Sequence, residues 1–288
     1  MRTLSHFEQL VVASPMTPFL VFVLGACVGS FLGVCIERIP RGKSIIFPKS
    51  RCCCGTPIPW YWNLPIVSWC CLRGKARCCG ASILPRYLLL EGMMALLFLA
   101  LWPMGSPMEW LKNAVFVSLL VVMSTIDLDT MEIPDGLSLG GLILGLIGAC
   151  LVPNALLLPH AGVWTSFVAA FRGALMGSAL LLWIAILGEK LCGREALGFG
   201  DIKLMGCIGA FLGTQGAVFA IFGGSFLGML LLLPYLLYSH YRHGKSWTLV
   251  TQIPFGPFLS LGAISYLLGA HRLMDFYLRT FIHMRPFI

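Results

Sequence analysis

Eight apolar stretches dominate this chain, at about 17–37, 86–103, 111–127, 136–153, 164–188, 202–214, 216–238 and 254–270. Crossing the hydrocarbon core of a membrane takes roughly 20 apolar residues in an α-helix, so most of these stretches have the length of a span. The sixth is short and glycine-rich and begins at a charged residue. Only 11% of the residues are charged and 58% are hydrophobic. A soluble domain carries about 25% charged residues, so a soluble globular protein is excluded. Disorder is excluded as well, because it needs low hydrophobicity. The expectation is an all-α polytopic membrane protein with about eight transmembrane helices.

The charges orient it. A net charge of +8 in such a chain points to basic cytoplasmic loops rather than to nucleic acid. An N-terminus outside puts residues 38–86 inside, with Arg38, Arg41, Lys43, Lys49, Arg51, Arg73, Lys75, Arg77 and Arg86. Later inner loops add Lys190, Arg194, Lys203, Arg242 and Lys245, for 14 of the 20 basic residues. Arg2, Lys112 and Arg172 fall outside or at outer borders. The tail holds Arg272, Arg279 and Arg285, a basic segment that either lies amphipathically on the membrane surface or sets the span count off by one. Met1 to Met16 carries His6 and Glu8 and lacks a short apolar run with a cleavage site, so the first stretch reads as a permanent helix.

The expected organisation is 1–37 for the N-terminus and first helix, 38–86 for a small Cys-rich cytoplasmic domain, 87–270 for the membrane bundle and 271–288 for the tail. The second segment holds seven of the twelve cysteines and three of the eight tryptophans. Trp60, Trp62 and Trp69 are expected to pack it, the other reading being a belt at the membrane interface. Cys27, Cys35, Cys150 and Cys207 read as helix-packing residues, and Cys192 stands alone.

Acidic residues beside apolar helices are costly and mark function. Two groups stand out: Asp127, Asp129, Glu132, Pro134 and Asp135 at the end of the third stretch, and Glu195, Gly198, Gly200, Asp201 and Lys203 before the sixth. Both fall at the cytoplasmic face, so two carboxylates from separate helices can meet there. Such a pair shares one proton: the ionised member acts as general base on a water, and the protonated member polarises a peptide carbonyl. The two glycines before Asp201 leave room for an extended substrate backbone. Spacing alone does not separate Asp127 from Asp129.

The chain resembles the type IV prepilin peptidases of bacteria, motif after motif. These are Gly29-Ser30-Phe31-Leu32, Glu37-Arg38-Ile39-Pro40, Pro48 with Ser50 and Cys52, Asn63-Leu64-Pro65, Ser68-Trp69, Arg73-Gly74, Arg86-Tyr87 with Glu91, Asp127 with Pro134-Asp135, Gly198-Phe199-Gly200-Asp201 with Lys203, and Phe255-Gly256-Pro257-Phe258. The resemblance implies a membrane aspartic endopeptidase of the bacterial inner membrane, with its active site facing the cytoplasm. It implies cleavage of the leader of type IV prepilins or type II secretion pseudopilins. The catalytic aspartates map onto Asp127 and Asp201, supported by Gly198, Gly200, Lys203, Glu195, Pro134 and Asp135. Lys203 is read as tuning the pair or anchoring to lipid headgroups, and Asp135 as structural. Members with a cysteine-rich domain also N-methylate the new N-terminus with S-adenosylmethionine. Gly33 stands where the family usually has Asn, and no Rossmann-type glycine loop is present, so no residue is assigned to methyl transfer.

Cysteines paired in a cytoplasmic loop suggest zinc before disulfide. The family pattern is Cys-x-x-Cys twice, and this chain departs from it: Cys52-Cys53-Cys54-Gly55 is one residue short, and Ala76 stands in place of the first cysteine of the second pair. A four-thiolate site takes Cys52, Cys54, Cys79 and one of Cys78, Cys70 or Cys71. Two alternatives accompany the bifunctional enzyme. One is a peptidase that has lost methyl transfer. The other is a proton-coupled transporter, disfavoured because its acids belong near the midplane, with internal repeats that are not seen here.

Overall fold

The computed structural model describes residues 15–152, 162–193, 197–243 and 254–281. The expectations for Met1 to Ser14, Arg194, Glu195, Lys245 and Arg285 lie outside the described residues, as does the side chain of Cys192. The apolar stretches fold as helices: α1 (Thr17–Arg38), α3 (Pro85–Leu101), α4 (Pro107–Thr130), α5 (Asp135–Leu151), α6 (Val163–Cys192), α7 (Phe199–His243) and α8 (Gly256–Ser265). A short α2 (Val67–Cys71) and α9 (His271–Phe281) complete the described helices of α type. Five of them, α1, α3, α4, α6 and α7, are long and apolar enough to cross a membrane, and α5 is a shorter apolar helix.

The sixth and seventh stretches form the one run α7, broken at Gly213 with φ 71° and ψ −173°. Only glycine enters that region without strain. There Gly173 of α6 lies against the backbone of Gly209 and Gly213, with no space for a Cβ. Close approach of small residues is how membrane helices gain packing where lipid removes the hydrophobic drive between them. The eighth stretch continues from α8 into a π-turn at Tyr266–Ala270.

The chain divides into two compact units, Met1–Ser118 and Leu119–Ile288, the boundary falling inside α4. In the first, α1 packs on α3 because Gly25 and Gly29 face the backbone of Ala95 and Glu91. Gly33 follows on the same face, with the ring of Tyr87 laid over it. The buried indole of Trp110 donates to the Phe98 carbonyl at 3.0 Å. In the second, α5, α6 and α8 pack on α7, and its innermost side chains include Leu120, Met123, Ile126, Leu204, Met205, Ile208 and Leu259. Among the described residues no extended strand forms; residues 51–82 contribute two isolated bridges.

The tryptophans divide. Trp62 packs under the Arg77 guanidinium and Trp69 donates to the Ile83 carbonyl, but Trp60 is 79% exposed and packs no core. Cys35 and Cys207 are buried as packing residues, while Cys27 is exposed.

Candidate active site

In the second unit, four chain segments converge at one end of the helices. Asp127 sits in the last turn of α4, where Met131 takes φ 56° and its N–H closes on the Asp127 carbonyl at 2.8 Å. That left-handed residue ends the helix. The chain then turns through Ile133 and Pro134, and Asp135 opens α5. Asp201 lies in the first turn of α7, its N–H reaching the Gly198 carbonyl at 3.2 Å.

Both carboxylates are buried, Asp127 to 5% exposure and Asp201 to 7%, and they lie within coulombic range of one another. Asp129, two residues along the same helix, is exposed. A helix turns about 200° over two residues, so only one of the two can face the core. Burial therefore separates the two aspartates that spacing left equivalent.

The Gly256 N–H at the start of α8 donates to Asp127 Oδ2 at 3.0 Å. A Cβ at Gly256 would stand 2.6 Å from that oxygen, so the bond requires glycine. Asp201 Oδ1 is buried without a hydrogen-bond partner among the described residues. A native buried carboxylate oxygen left that way is a place for water or a ligand group. Ile133 lies against both Gly200 and Gly256 and spaces the starts of α7 and α8.

The motif residues take distinct places. Lys203 pairs with Asp135 at 2.5 Å, an ion pair fastening α7 to the start of α5, which is a different partner from the aspartate pair or the lipid expected for it. Gly198 has open space apart from Asp201 Oδ2 at 3.7 Å, as approach of a substrate backbone needs. Gly200 serves packing instead: a Cβ there would press on Ile133 at 3.1 Å. Sequence reasoning assigned no role to Ile133 or to the Gly256 amide. The only trace of the latter was the Phe255-Gly256-Pro257-Phe258 motif.

In the first unit, two turns present thiols to a common point. Cys52-Cys53-Cys54 closes at Gly55 and Cys78-Cys79 at Gly80, each glycine at positive φ, and each turn is bracketed by an antiparallel bridge, Arg51 with Pro57 and Lys75 with Ser82. The sulfurs of Cys52, Cys54, Cys78 and Cys79 lie within 4.8 Å of one another. Cys52 to Cys79 is 3.5 Å, Cys54 to Cys78 is 3.4 Å and Cys78 to Cys79 is 3.9 Å. The edge of a tetrahedral four-thiolate zinc site is about 3.8 Å, given Zn–S of about 2.3 Å. The spacing fits a zinc ion, and adjacent Cys78 and Cys79 both belong to the group. Cys70 and Cys71 are outside the group.

The hydrogen bond with the Thr56 hydroxyl, first among several, holds the Cys54 thiol down at about 6. Contact with the Cys52 sulfur pushes Cys78 up to about 12 and Cys53 up to about 11. These sulfurs thus share protons, as a thiol set does before a metal displaces them.

The fold and site define a class: a multi-pass membrane protein with two buried carboxylates brought together at one end of its helices. Residues 114–233 match the model of the type IV leader peptidase family, and residues 23–104 match that of the bacterial peptidase A24 N-terminal domain. A prepilin leader peptidase/N-methyltransferase of Myxococcus xanthus is 40% identical over 76% of this chain and 64% of its own length. Proteins of the same description from Klebsiella pneumoniae (36% identical, 69% of this chain and 88% of theirs) and Aeromonas hydrophila (31%, 91% and 94%) match as well. No solved structure matches. The chain belongs to the type IV leader peptidase family, and it is a multi-pass protein of the bacterial inner membrane.

Proposed function

We propose that this chain is an aspartic endopeptidase that cuts the leader from type IV prepilins or type II secretion pseudopilins at the cytoplasmic face and then N-methylates the new N-terminal residue. The observation that carries the reading is the buried pair Asp127 and Asp201, one oxygen tied to the Gly256 amide and another without a partner.

The chemistry follows from that arrangement. The two carboxylates hold one proton and a water between them. The ionised member takes a proton as the water oxygen attacks the scissile carbonyl. The protonated member hydrogen-bonds the carbonyl oxygen and then passes its proton to the leaving amide nitrogen. The Gly256 N–H fixes the carboxylate plane of Asp127 through that exchange. Lys203 and Asp135 hold α7 and α5 together so that the pair keeps its spacing. The substrate's apolar helix lies against the bundle while its basic leader stays at the cytoplasmic border.

Cys52, Cys54, Cys78 and Cys79 are the ligands for zinc, which when bound ties the two turns of the 38–86 segment together. Methyl transfer takes S-adenosylmethionine as donor. Gly33 favours keeping the peptidase-only reading beside this one, since a side chain there would meet the Tyr87 ring at 3.0 Å. The transporter reading is weakened by the position of both acids at helix ends.

The test is cleavage of a co-expressed prepilin, with mass spectrometry of the mature N-terminus. Asp127→Asn and Asp201→Asn each lower cleavage by about 10²–10⁴-fold, the usual worth of a general acid or base. Asp129→Asn keeps wild-type cleavage. Loss with Asp129→Asn and retention with Asp127→Asn would sink the assignment. One added methyl on the product supports the bifunctional reading, and an unmodified product the peptidase alone.

A further inference from the structure

The segment that leaves α1 carries an unusual surface. Gly42 and Lys43 close on the end of the helix, their N–H groups reaching the Ile39 and Arg38 carbonyls at 3.0 Å. The Arg38 guanidinium then staples the loop, donating to the Ser44 carbonyl at 3.0 Å and to the Pro48 carbonyl at 2.8 Å. Within it, the Ser44 hydroxyl oxygen accepts from the N–H groups of Ile46 and Phe47, both at 3.3 Å. The result is a closed loop whose tip is apolar: Ile45, Ile46 and Phe47 are 38%, 71% and 70% exposed.

Charge surrounds this tip. Lys43, Lys49 and Arg51 are exposed, and none has an ion-pair partner among the described residues. Arg41 pairs with Glu37 on the last turn of α1. The helix feeding the loop has 22 residues, roughly 33 Å at 1.5 Å per residue, so its end stands at the border of a hydrocarbon core about 30 Å thick. Three consecutive large apolar side chains held outward by a built staple, ringed by free cations and tied to the end of a membrane span, match an interface of acyl chain below and phosphate above.

We infer that the loop 44–48 is a membrane-docking element: Ile46 and Phe47 insert beneath the headgroups of the adjoining leaflet, and Lys43, Lys49 and Arg51 bind the phosphates of anionic lipids. The bilayer is the occupant because its surface offers both chemistries at the depth where α1 ends. The inference is independent of the aspartate assignment, since it rests on the first unit alone.

The experiment uses the full chain with Ile46 replaced by the photocrosslinker p-benzoylphenylalanine, reconstituted in nanodiscs of phosphatidylcholine with or without phosphatidylglycerol. Irradiation and mass spectrometry identify the adduct. The expected result is a phospholipid adduct in the mixed discs, lower by about fivefold or more in pure phosphatidylcholine and in the same protein carrying Lys43→Glu and Lys49→Glu. The lipid contrast uses one unaltered set of charges, so misfolding of the charge variant cannot decide the outcome. Equal yields in both lipids overturn the anionic recognition. A crosslink to added prepilin or to another part of the chain, or no lipid adduct at all, overturns the docking.

Discussion

The carboxylate pair and the cysteine cluster are built by opposite means. Asp127 and Asp201 come from the ends of two long helices and are nearly buried, held by the close packing of Gly200, Ile133 and Gly256. The cysteines stand on exposed turns with little core around them, each turn shaped by local backbone closure at Gly55 or Gly80, and the two turns meet through the sulfurs themselves. A site made by packing keeps its geometry without a ligand and fails when volume is added. A site made by turns depends on the ion it binds.

The largest effect that sharpens this contrast is expected at Gly256. Gly256→Val drives a side chain into the Asp127 carboxylate and removes the room for the amide bond, so prepilin cleavage falls by about 100-fold or more. Zinc content by elemental analysis stays unchanged. Equal loss of zinc would mean that the two regions are not independent.

The converse variant is Cys54→Ser with Cys78→Ser. Bound zinc drops from about one per chain towards none, because two of four thiolates are gone. Cleavage stays within about threefold of wild type, because neither cysteine belongs to the carboxylate pair or to the elements that pack it. A collapse of cleavage would break the comparison by tying the cluster to catalysis.

A smaller effect reads the thiols directly in zinc-free protein. With its thiol held down at about 6, Cys54 is mostly thiolate at pH 7 and mostly protonated at pH 5. Iodoacetamide labelling at Cys54 therefore slows about tenfold between these values. Cys78, pushed up to about 12, is labelled slowly at both. Added zinc protects both sites. Equal rates at the two cysteines would contradict the proton sharing.

The smallest effect lies at Lys203 and Asp135, whose side chains are 29% and 63% exposed. A double-mutant cycle with Lys203→Met and Asp135→Asn gives a coupling of about 0–1 kcal/mol in thermal unfolding, as partly exposed ion pairs do. Coupling well above that range would make the pair part of the packed centre rather than a fastening at its edge.

Much of this was legible in advance, and for a physical reason. Lipid leaves a chain no way to satisfy its backbone except internally, so apolar length alone announces a helix. Each of the eight stretches is helical over most of its described length. Intramembrane acids are costly enough to stand out, which is why Asp127 and Asp201 were visible as candidates. Less visible were features that depend on what lies across a gap. Trp60 shares its composition and neighbourhood with Trp62 and Trp69, yet it faces outward, because nothing local tells which aromatic meets the partner surface. Lys203 finds Asp135 across 68 residues, a pairing that no local pattern encodes.

The sequence by itself therefore determined the class of fold, the order of the apolar stretches and the two acidic groups from which a pair can be drawn, since these follow from local chemistry and from the solvent the chain must live in. Tertiary structure alone decided that Asp127 rather than Asp129 is buried, that the Gly256 amide holds its carboxylate, that Gly200 packs while Gly198 stays open, and that Cys78 and Cys79 both face Cys52 and Cys54. Each of these depends on distances between segments remote along the chain, and such distances are set by how helices and turns fill space around one another.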